Sequence, residues 1–204
     1  MIKIIIELTK LRLSLLVTFS AIFGFILASS DGINYIDLFF LFFGGWLITS
    51  SSIINNQILE KDSDGLMKRT MKRPIPTKRI SVKTSMIISL LFSFMGFLIL
   101  YYFLNFYTAF LSILSLIVYS FVYTPLKKIS SIAVFIGAFP GALPPLIGWV
   151  AATNQISIEA IIIFSIQFIW QFPHFWAIAW VSDEDYKKAG FKLLPNGGGK
   201  NFST

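Results

Sequence analysis

Ile36-Asp37-Leu38-Phe39-Phe40-Leu41-Phe42-Phe43-Gly44-Gly45-Trp46-Leu47-Ile48-Thr49-Ser50-Ser51-Ser52-Ile53-Ile54 decides the fold. Its one charged residue, Asp37, lies in the first turn, and the rest is apolar, glycine or hydroxyl-bearing. A helix needs about 20 such residues to cross a bilayer core. Five more runs of the same kind surround it, roughly Leu13–Ser29, Thr84–Leu104, Phe106–Val122, Ile132–Ala152 and Ile158–Trp180, all without Lys or Arg. The expected fold is all-α, a polytopic transmembrane helix bundle with six spans. Composition agrees: the chain is 55% hydrophobic and 13% charged, whereas soluble domains sit near ~45–50% and ~25%. Disorder, a coiled coil and an ordinary soluble globule are excluded. The first run is too long for a cleavable signal peptide, and five further spans follow it.

The charges sort by side. The 204 residues carry 17 Lys+Arg against 10 Asp+Glu, a net charge of +7. Lys3, Lys10 and Arg12 lie in the N-terminal stub, eight more lie between Asn55 and Lys83, Lys127 and Lys128 between Thr124 and Ser131, and four after Trp180. The connectors Ser30–Tyr35, Asn105 and Thr153–Ser157 have none. Every basic residue therefore falls on one face, which the positive-inside rule makes cytoplasmic. Topology accounts for the basic charge, so no nucleic-acid partner is expected. With no cysteine there is no disulfide, thiolate metal site or cysteine nucleophile. The uncharged connectors are short, so spans one and two, three and four, and five and six pair as hairpins. Residues 1–204 are expected to form a single transmembrane domain, incomplete at its C-terminus, since Asn201-Phe202-Ser203-Thr204 closes a polar tail with no final apolar element. Only the cytoplasmic segments 55–83 and 181–204 are long enough to hold a site outside the bilayer.

The first of these holds one constellation. Continued as a helix, the second span places Ser52, Asn56, Glu60 and Asp64 on one stripe at four-residue steps, with Asp62 off it. Two carboxylates one turn apart repel unless a cation lies between them. An amide and two carboxylates are hard oxygen donors suited to Mg²⁺, which is held by one or two carboxylates plus substrate phosphates. Lys68-Arg69-Thr70-Met71-Lys72-Arg73-Pro74 adds cations for the same anion. A solvated loop of mixed charge explains these residues too, but a polar stripe leaving a membrane span usually faces a cavity.

The sixth span holds the other. Gln167, Gln171 and His174 share a face at i, i+4 and i+7, and Asp185 extends the stripe if the helix persists. Asp183-Glu184-Asp185 forms a second acidic cluster at the cytoplasmic end. Pro173 is expected to kink the helix and free a carbonyl. His174, the one histidine, is either a packing residue bonded to a glutamine or a contact to haem, substrate or a proton path. In the fifth span Gly137, Pro140, Gly141, Pro144, Pro145 and Gly148 permit close helix contact and interrupt the backbone ladder. Tyr119 and Tyr123 lie one turn apart just before Thr124-Pro125-Leu126-Lys127. Some of the aromatic rings are candidates to line a prenyl groove or shield a carbocation.

Two acidic clusters with basic neighbours beneath an apolar bundle suit a substrate with a diphosphate head and a hydrocarbon tail. In these features the sequence resembles the UbiA-type membrane prenyltransferases, and among them the branch whose acceptor is haem. Five passages in order carry the resemblance: Asn55 to Asp64 with Met67-Lys68-Arg69-Thr70 and Arg73-Pro74; Tyr123-Thr124-Pro125-Leu126-Lys127; Gly137 to Pro145; Trp170-Gln171-Phe172-Pro173-His174-Phe175; and Asp185-Tyr186 leading to Leu194-Pro195. Together they cover nearly all of residues 10–195. The resemblance implies a nine-helix bundle, of which six are here, in a bacterial-type inner membrane. It implies farnesyl transfer from farnesyl diphosphate to the vinyl group of haem B, giving haem O, with Mg²⁺ as cofactor. The lipid bilayer is the surrounding partner, and haem A synthase or cytochrome oxidase assembly factors are possible further ones. The implied catalytic residues are Asn56, Glu60, Asp64 and Asp185, and the metal ligands Asn56, Glu60, Asp64, Asp183 and Asp185. Arg69, Arg73, Tyr123, Lys127, Gln171 and His174 would bind substrate. The family pattern is Asn-x-x-x-Asp-x-x-x-Asp, and Glu60 stands in its middle place.

Three other readings remain open. One is a relative in the same superfamily with an aromatic or quinone-precursor acceptor, which the Pro140–Pro145 and Gln171–His174 passages disfavour. A small transporter would place carboxylates deep in the spans, but only Asp37 and Glu159 lie within spans, both at their ends. A non-catalytic assembly subunit is the third. The topology is directly testable: a reporter fused after Lys83 or Lys192 should read cytoplasmic, and one within Thr153–Ser157 external. An external signal after Lys83 would break the arrangement that brings both acidic segments to one face.

Overall fold

The computed structural model describes residues 1–30 and 32–193; Asp31, Leu194-Pro195, Lys200 and the end at Asn201–Thr204 lie outside the described residues. All regular structure among the described residues is helical. A short helix α1 (Ile2–Thr9) leads into α2 (Leu11–Ala28), α3 (Tyr35–Leu59), a short α4 (Lys61–Leu66) and α5 (Val82–Phe103). Next come α6 (Phe106–Ile117), a π-helical segment (Val118–Tyr123) and α7 (Thr124–Leu126), which form one continuous rod. The chain then passes through α8 (Ile132–Thr153) and α9 (Ile158–Val181) to α10 (Asp183–Ala189). Six of these helices are long and apolar enough to cross a membrane: α2, α3, α5, the rod Phe106–Leu126, α8 and α9. They match the six expected spans to within a few residues, and they make an integral, multi-pass membrane protein.

Local signals set the helix ends. Asn34, Ser81, Asn105 and Ser157 occupy N-cap positions, and each side chain accepts a backbone N–H from the following first turn. Asn105 does more, because its Nδ2 donates to the Val150 carbonyl at 3.0 Å and ties the α5–α6 turn to the end of α8. Lys10 separates α1 from α2 with φ 45°, and Asn154 closes α8 with φ 55°.

Close backbone approach sets the packing. A Cβ on Gly24 would lie 1.9 Å from the Pro145 carbonyl oxygen, and one on Gly148 would lie 1.8 Å from that of Ala21. Helices α2 and α8 therefore touch backbone to backbone, as small residues allow inside membranes. Gly96 of α5 likewise sits against the Gly44 carbonyl of α3. A polar ladder runs beside that contact: Ser51 Oγ pairs with Ser89 Oγ at 2.8 Å, and Ser89 Oγ donates to Asn55 Oδ1 at 2.7 Å.

One expectation needs adjusting. The helix entering the first acidic segment ends at Leu59 and resumes at Lys61, with Glu60 between them at φ −98°, ψ 8°. The turn-to-turn bonds Glu60 N–H to Asn56 O and Asp64 N–H to Glu60 O persist, so the stripe survives the bend. Helix α8 continues through its three prolines and α9 through Pro173, each proline leaving one gap in the backbone ladder. Proline removes only its own N–H bond, and a neighbouring helix can serve the carbonyl it orphans.

The backbone contacts give a sharp expectation. Gly148→Ala should destabilise the bundle by about 3 kcal/mol or more, because overpacking here meets backbone rather than a movable side chain. Gly45→Ala, whose new methyl would meet only the Thr18 methyl at 3.9 Å, should leave stability within about 1 kcal/mol. Thermal unfolding in detergent compares the two; equal melting temperatures would contradict the packing.

Candidate functional site

One cavity of about 350 Å³ runs between α2, α3, α8, α9 and the rod containing the π segment. That size lies within the roughly 300–1,000 Å³ typical of small-molecule sites. Its deep walls are apolar and hydroxyl-bearing, including Val17, Leu41, Ile48, Ser112 and Ile147. Its charged end holds Lys10, Asn56, Glu60, Asp64, Arg69, Arg73 and Lys127.

The stripe expected from the sequence is present: Ser52, Asn56, Glu60 and Asp64 all line the cavity, while Asp62 points to solvent. Each polar member is held by a partner. Asn56 Nδ2 donates to Thr124 Oγ1 at 3.1 Å, which leaves its amide oxygen uncommitted by that bond. Glu60 forms an ion pair with Lys127, both side chains nearly enclosed. Asp64, fully buried, accepts from Arg73 Nη1 at 2.7 and 2.6 Å through its two oxygens. Burial pushes the Asp64 carboxyl above the usual carboxylate range, Arg73 opposes that push, and nearby Glu60 adds to it. Breaking such a pair by deleting one partner leaves a buried charge and costs about 3–5 kcal/mol.

The aromatic wall adjoins this end. Tyr119, Tyr123 and Lys127 face the cavity at four-residue steps. The Tyr123 ring lies 5.5 Å from those of Tyr119 and Phe175, and Lys127 Nζ sits 4.9 Å from the Tyr123 centroid. Gly137 leaves room for that ring, since a Cβ there would lie 2.7 Å from Tyr123. From α9, Gln171, His174 and Phe175 reach the cavity. Gln171 Nε2 donates to the Gly141 carbonyl at 3.2 Å. Pro145, four residues later, has no N–H to offer that carbonyl, so Gln171 satisfies an acceptor that the proline orphaned.

The second acidic cluster behaves differently. A one-residue bend at Ser182 (φ −100°, ψ 15°) separates α9 from α10, and beyond it Tyr186 rather than Asp185 lines the cavity. Asp183 pairs with Lys187 at 2.9 Å. Asp185 accepts the backbone N–H groups of Lys68 and Arg69 at 3.1 and 3.3 Å, fastening α10 to the loop after α4. Neither is among the residues lining the cavity. Desolvation pulls the Asp185 carboxyl upward, but those two N–H groups together with the charges of Lys188 and Arg69 hold it below the usual range.

Among the described residues no three His, Cys, Asp or Glu side chains form a metal-binding group. A closed all-protein cage is thus not what the cavity presents. Two carboxylates and an amide at its charged end fit Mg²⁺, which keeps several ligand positions for water and phosphate. Sequence reasoning had missed Lys10, Thr124 and Tyr119 as parts of the site. Tyr119 was readable as the position one turn before Tyr123, whereas Lys10 and Thr124 needed contacts distant in sequence.

The sequence pattern of the UbiA prenyltransferase family matches residues 17–204. The chain is 52% identical over 198 residues to protoheme IX farnesyltransferase of Cytophaga hutchinsonii, covering 97% of this chain and 69% of that one. It is 48% identical over 197 residues to the protein of the same name from Flavobacterium psychrophilum, covering 94% of this chain and 64% of that one. The chain thus spans about two thirds of the length of these relatives. Its fold matches a UbiA homologue from Archaeoglobus fulgidus bound to DMAPP and Mg²⁺, with TM-score 0.76, 16% identity, and 92% and 67% of the two chains covered.

The two acidic residues of α10 make a paired test. Asp185→Ala should free the loop and speed tryptic cleavage after Lys68 and Arg69 several-fold. Asp183→Ala removes an ion pair with a half-exposed Lys187 and should change cleavage little. Equal protection in both variants would refute the fastening role of Asp185.

Proposed function

The chain belongs to the UbiA prenyltransferase family, and on that premise we propose that it transfers a farnesyl group from farnesyl diphosphate to the vinyl group of haem B, giving haem O. One observation carries the reading: a single cavity joins the Asn56–Glu60–Asp64 stripe and its cations to an apolar, aromatic interior. The two relatives named protoheme IX farnesyltransferase support the choice of donor and acceptor. The Archaeoglobus homologue, bound to a prenyl diphosphate and Mg²⁺, supports the metal.

The residues divide the work. Asn56, Glu60 and Asp64 would hold Mg²⁺; Asp183 and Asp185, the further ligands the family resemblance implies, lie outside the cavity lining, on Lys187 and on the Lys68 and Arg69 N–H groups. The bound ion supplies Lewis-acid stabilisation of the diphosphate leaving group. Arg69, Arg73 and Lys127 neutralise the same charge as the allylic C–O bond breaks. The rings of Tyr119, Tyr123 and Phe175 present π-faces to the allylic cation. The vinyl group of haem attacks that cation, and water then adds to the new cationic carbon and loses a proton, leaving hydroxyl on the acceptor and free diphosphate. Burial of Asn56, Glu60, Asp64 and Lys127 keeps bulk water from the earlier step. Gln171 and His174 border the acceptor or the hydrocarbon chain. The charged end, with the N-terminus and both acidic segments, faces the cytoplasm of a bacterial-type inner membrane, where haem A synthase or oxidase assembly factors would take up the product.

The test incubates membranes containing the chain with haem B, farnesyl diphosphate and Mg²⁺, and identifies pigments by mass. A farnesylhydroxyethyl haem is expected, and its absence from membranes with the chain correctly inserted would refute the activity. Asp64→Asn and Glu60→Gln should each lower turnover by roughly 10²-fold or more, with insertion unchanged. Normal haem O production by both would remove the metal assignment.

A further inference from the structure

A hydroxyl inside a membrane-spanning helix can satisfy itself by donating to the carbonyl one turn back. Three hydroxyls of the cavity wall do this. Thr18 Oγ1 donates to the Ser14 carbonyl at 2.9 Å, Ser52 Oγ to that of Ile48 at 3.1 Å and Ser112 Oγ to that of Thr108 at 2.8 Å. Thr49 and Ser115 line the same cavity, and among the described residues neither hydroxyl has a hydrogen-bond partner.

The two lie at similar depth on different helices. Thr49 is seven residues along α3 from Asn56, about 10 Å further into the span. Ser115 is nine residues along the rod from Thr124, the partner of Asn56. Gln171 of α9 stands between this level and the charged end. It is 6% exposed and bonds the Gly141 carbonyl, one turn inward from the Gly137 that makes room for Tyr123. That bond uses Nε2, and among the described residues its Oε1 accepts from no group. Polar atoms without protein partners therefore face one cavity from α3, α6 and α9, away from the ion pairs. Hydrocarbon laid over an unpaired hydroxyl forfeits that group's hydrogen bonds, so an apolar tail does not account for them. Water does, since a water held in a protein takes about two to four polar partners.

We propose that Thr49 and Ser115, with Gln171 Oε1, bind the water molecule that completes the reaction. This rests on the prenyl-transfer reading above. The allylic C–O bond breaks and the vinyl terminus forms the new C–C bond, which leaves a cation on the vinyl carbon beside the porphyrin ring. Water on the two hydroxyls gives an electron pair to that carbon. The protonated alcohol so formed passes its surplus proton along neighbouring hydroxyls to the released diphosphate. About 10 Å of helix separates this water from the Asn56 end, so it hydrates the acceptor rather than hydrolysing the donor. Without it, the same cation loses a proton from the adjacent carbon and gives an alkenyl haem, lighter by one water.

The test reads that partition. Membranes carrying the whole chain, or its Thr49→Val/Ser115→Ala variant, receive haem B, farnesyl diphosphate and Mg²⁺, and the farnesylated haems are separated by mass. Thermal unfolding confirms the fold of each variant. The double variant should still consume haem B, with the ratio of hydroxyl to alkenyl product lowered about tenfold or more. Thr49→Ser/Ser115→Thr keeps both hydroxyls and should keep the ratio. An unchanged ratio in the folded Val/Ala variant would overturn the proposal. So would a folded Val/Ala variant that makes no farnesylated haem, because the hydroxyls would then act before the cation forms. An unsubstituted chain that leaves haem B unfarnesylated would instead overturn the prenyl-transfer reading, and this proposal with it.

Discussion

Everything in the bundle depends on two backbones meeting without side chains between them. Gly24 lies on Pro145 and Gly148 on Ala21, so α2 and α8 are held at their shortest possible separation in the halves farthest from the charged end. Helix α8 thereby becomes the central element, the most deeply buried of the six spanning helices. Nearer the charged end the same two helices flank the cavity, α2 with Leu13 and Val17 and α8 with Gly137 and Pro140. In lipid there is little hydrophobic gain from bringing helices together, so close van der Waals contact and satisfied polar groups must hold them. The Asn105 bond to Val150 and the Gln171 bond to Gly141 serve that end from neighbouring helices.

The charged end follows a second logic. Its buried ions are not spread but matched, Asp64 with Arg73 and Glu60 with Lys127. Each pair links segments far apart in the chain or across the loop after α4. The cost of burying these charges is offset by the pairings. The pairs also keep the charged groups arrayed toward one chamber.

The sequence read the fold through the length and charge sidedness of its apolar runs, and the structure keeps all six. The Asn56–Glu60–Asp64 stripe was legible because it rests on a four-residue step within one segment. What was not legible involves distance along the chain. Asp185 looked like a continuation of the α9 stripe, but beyond the bend at Ser182 its carboxylate accepts the backbone N–H groups of Lys68 and Arg69. Gln171 was legible as a cavity residue from its helical face, but the carbonyl it satisfies could be known only once Pro145 was seen across from it. Lys10 carried no local signal, since its exceptional feature is a backbone angle.

The π-helical segment Val118–Tyr123 amounts to a local surplus of one residue over an α-helix. Four residues of α-helix overshoot a full turn by about 40°, so an uninterrupted helix would carry Tyr119, Tyr123 and Lys127 progressively around the rod. The wider turn winds back against that drift, and all three side chains stay on the cavity. Thr124 secures the irregular turn through its hydroxyl, donating to the Tyr119 carbonyl at 2.8 Å while receiving Asn56. Chain length in this stretch is consequently under tighter constraint than residue identity. Many substitutions would keep the rod intact, but loss of one residue would restore regular winding and rotate Lys127 away from Glu60.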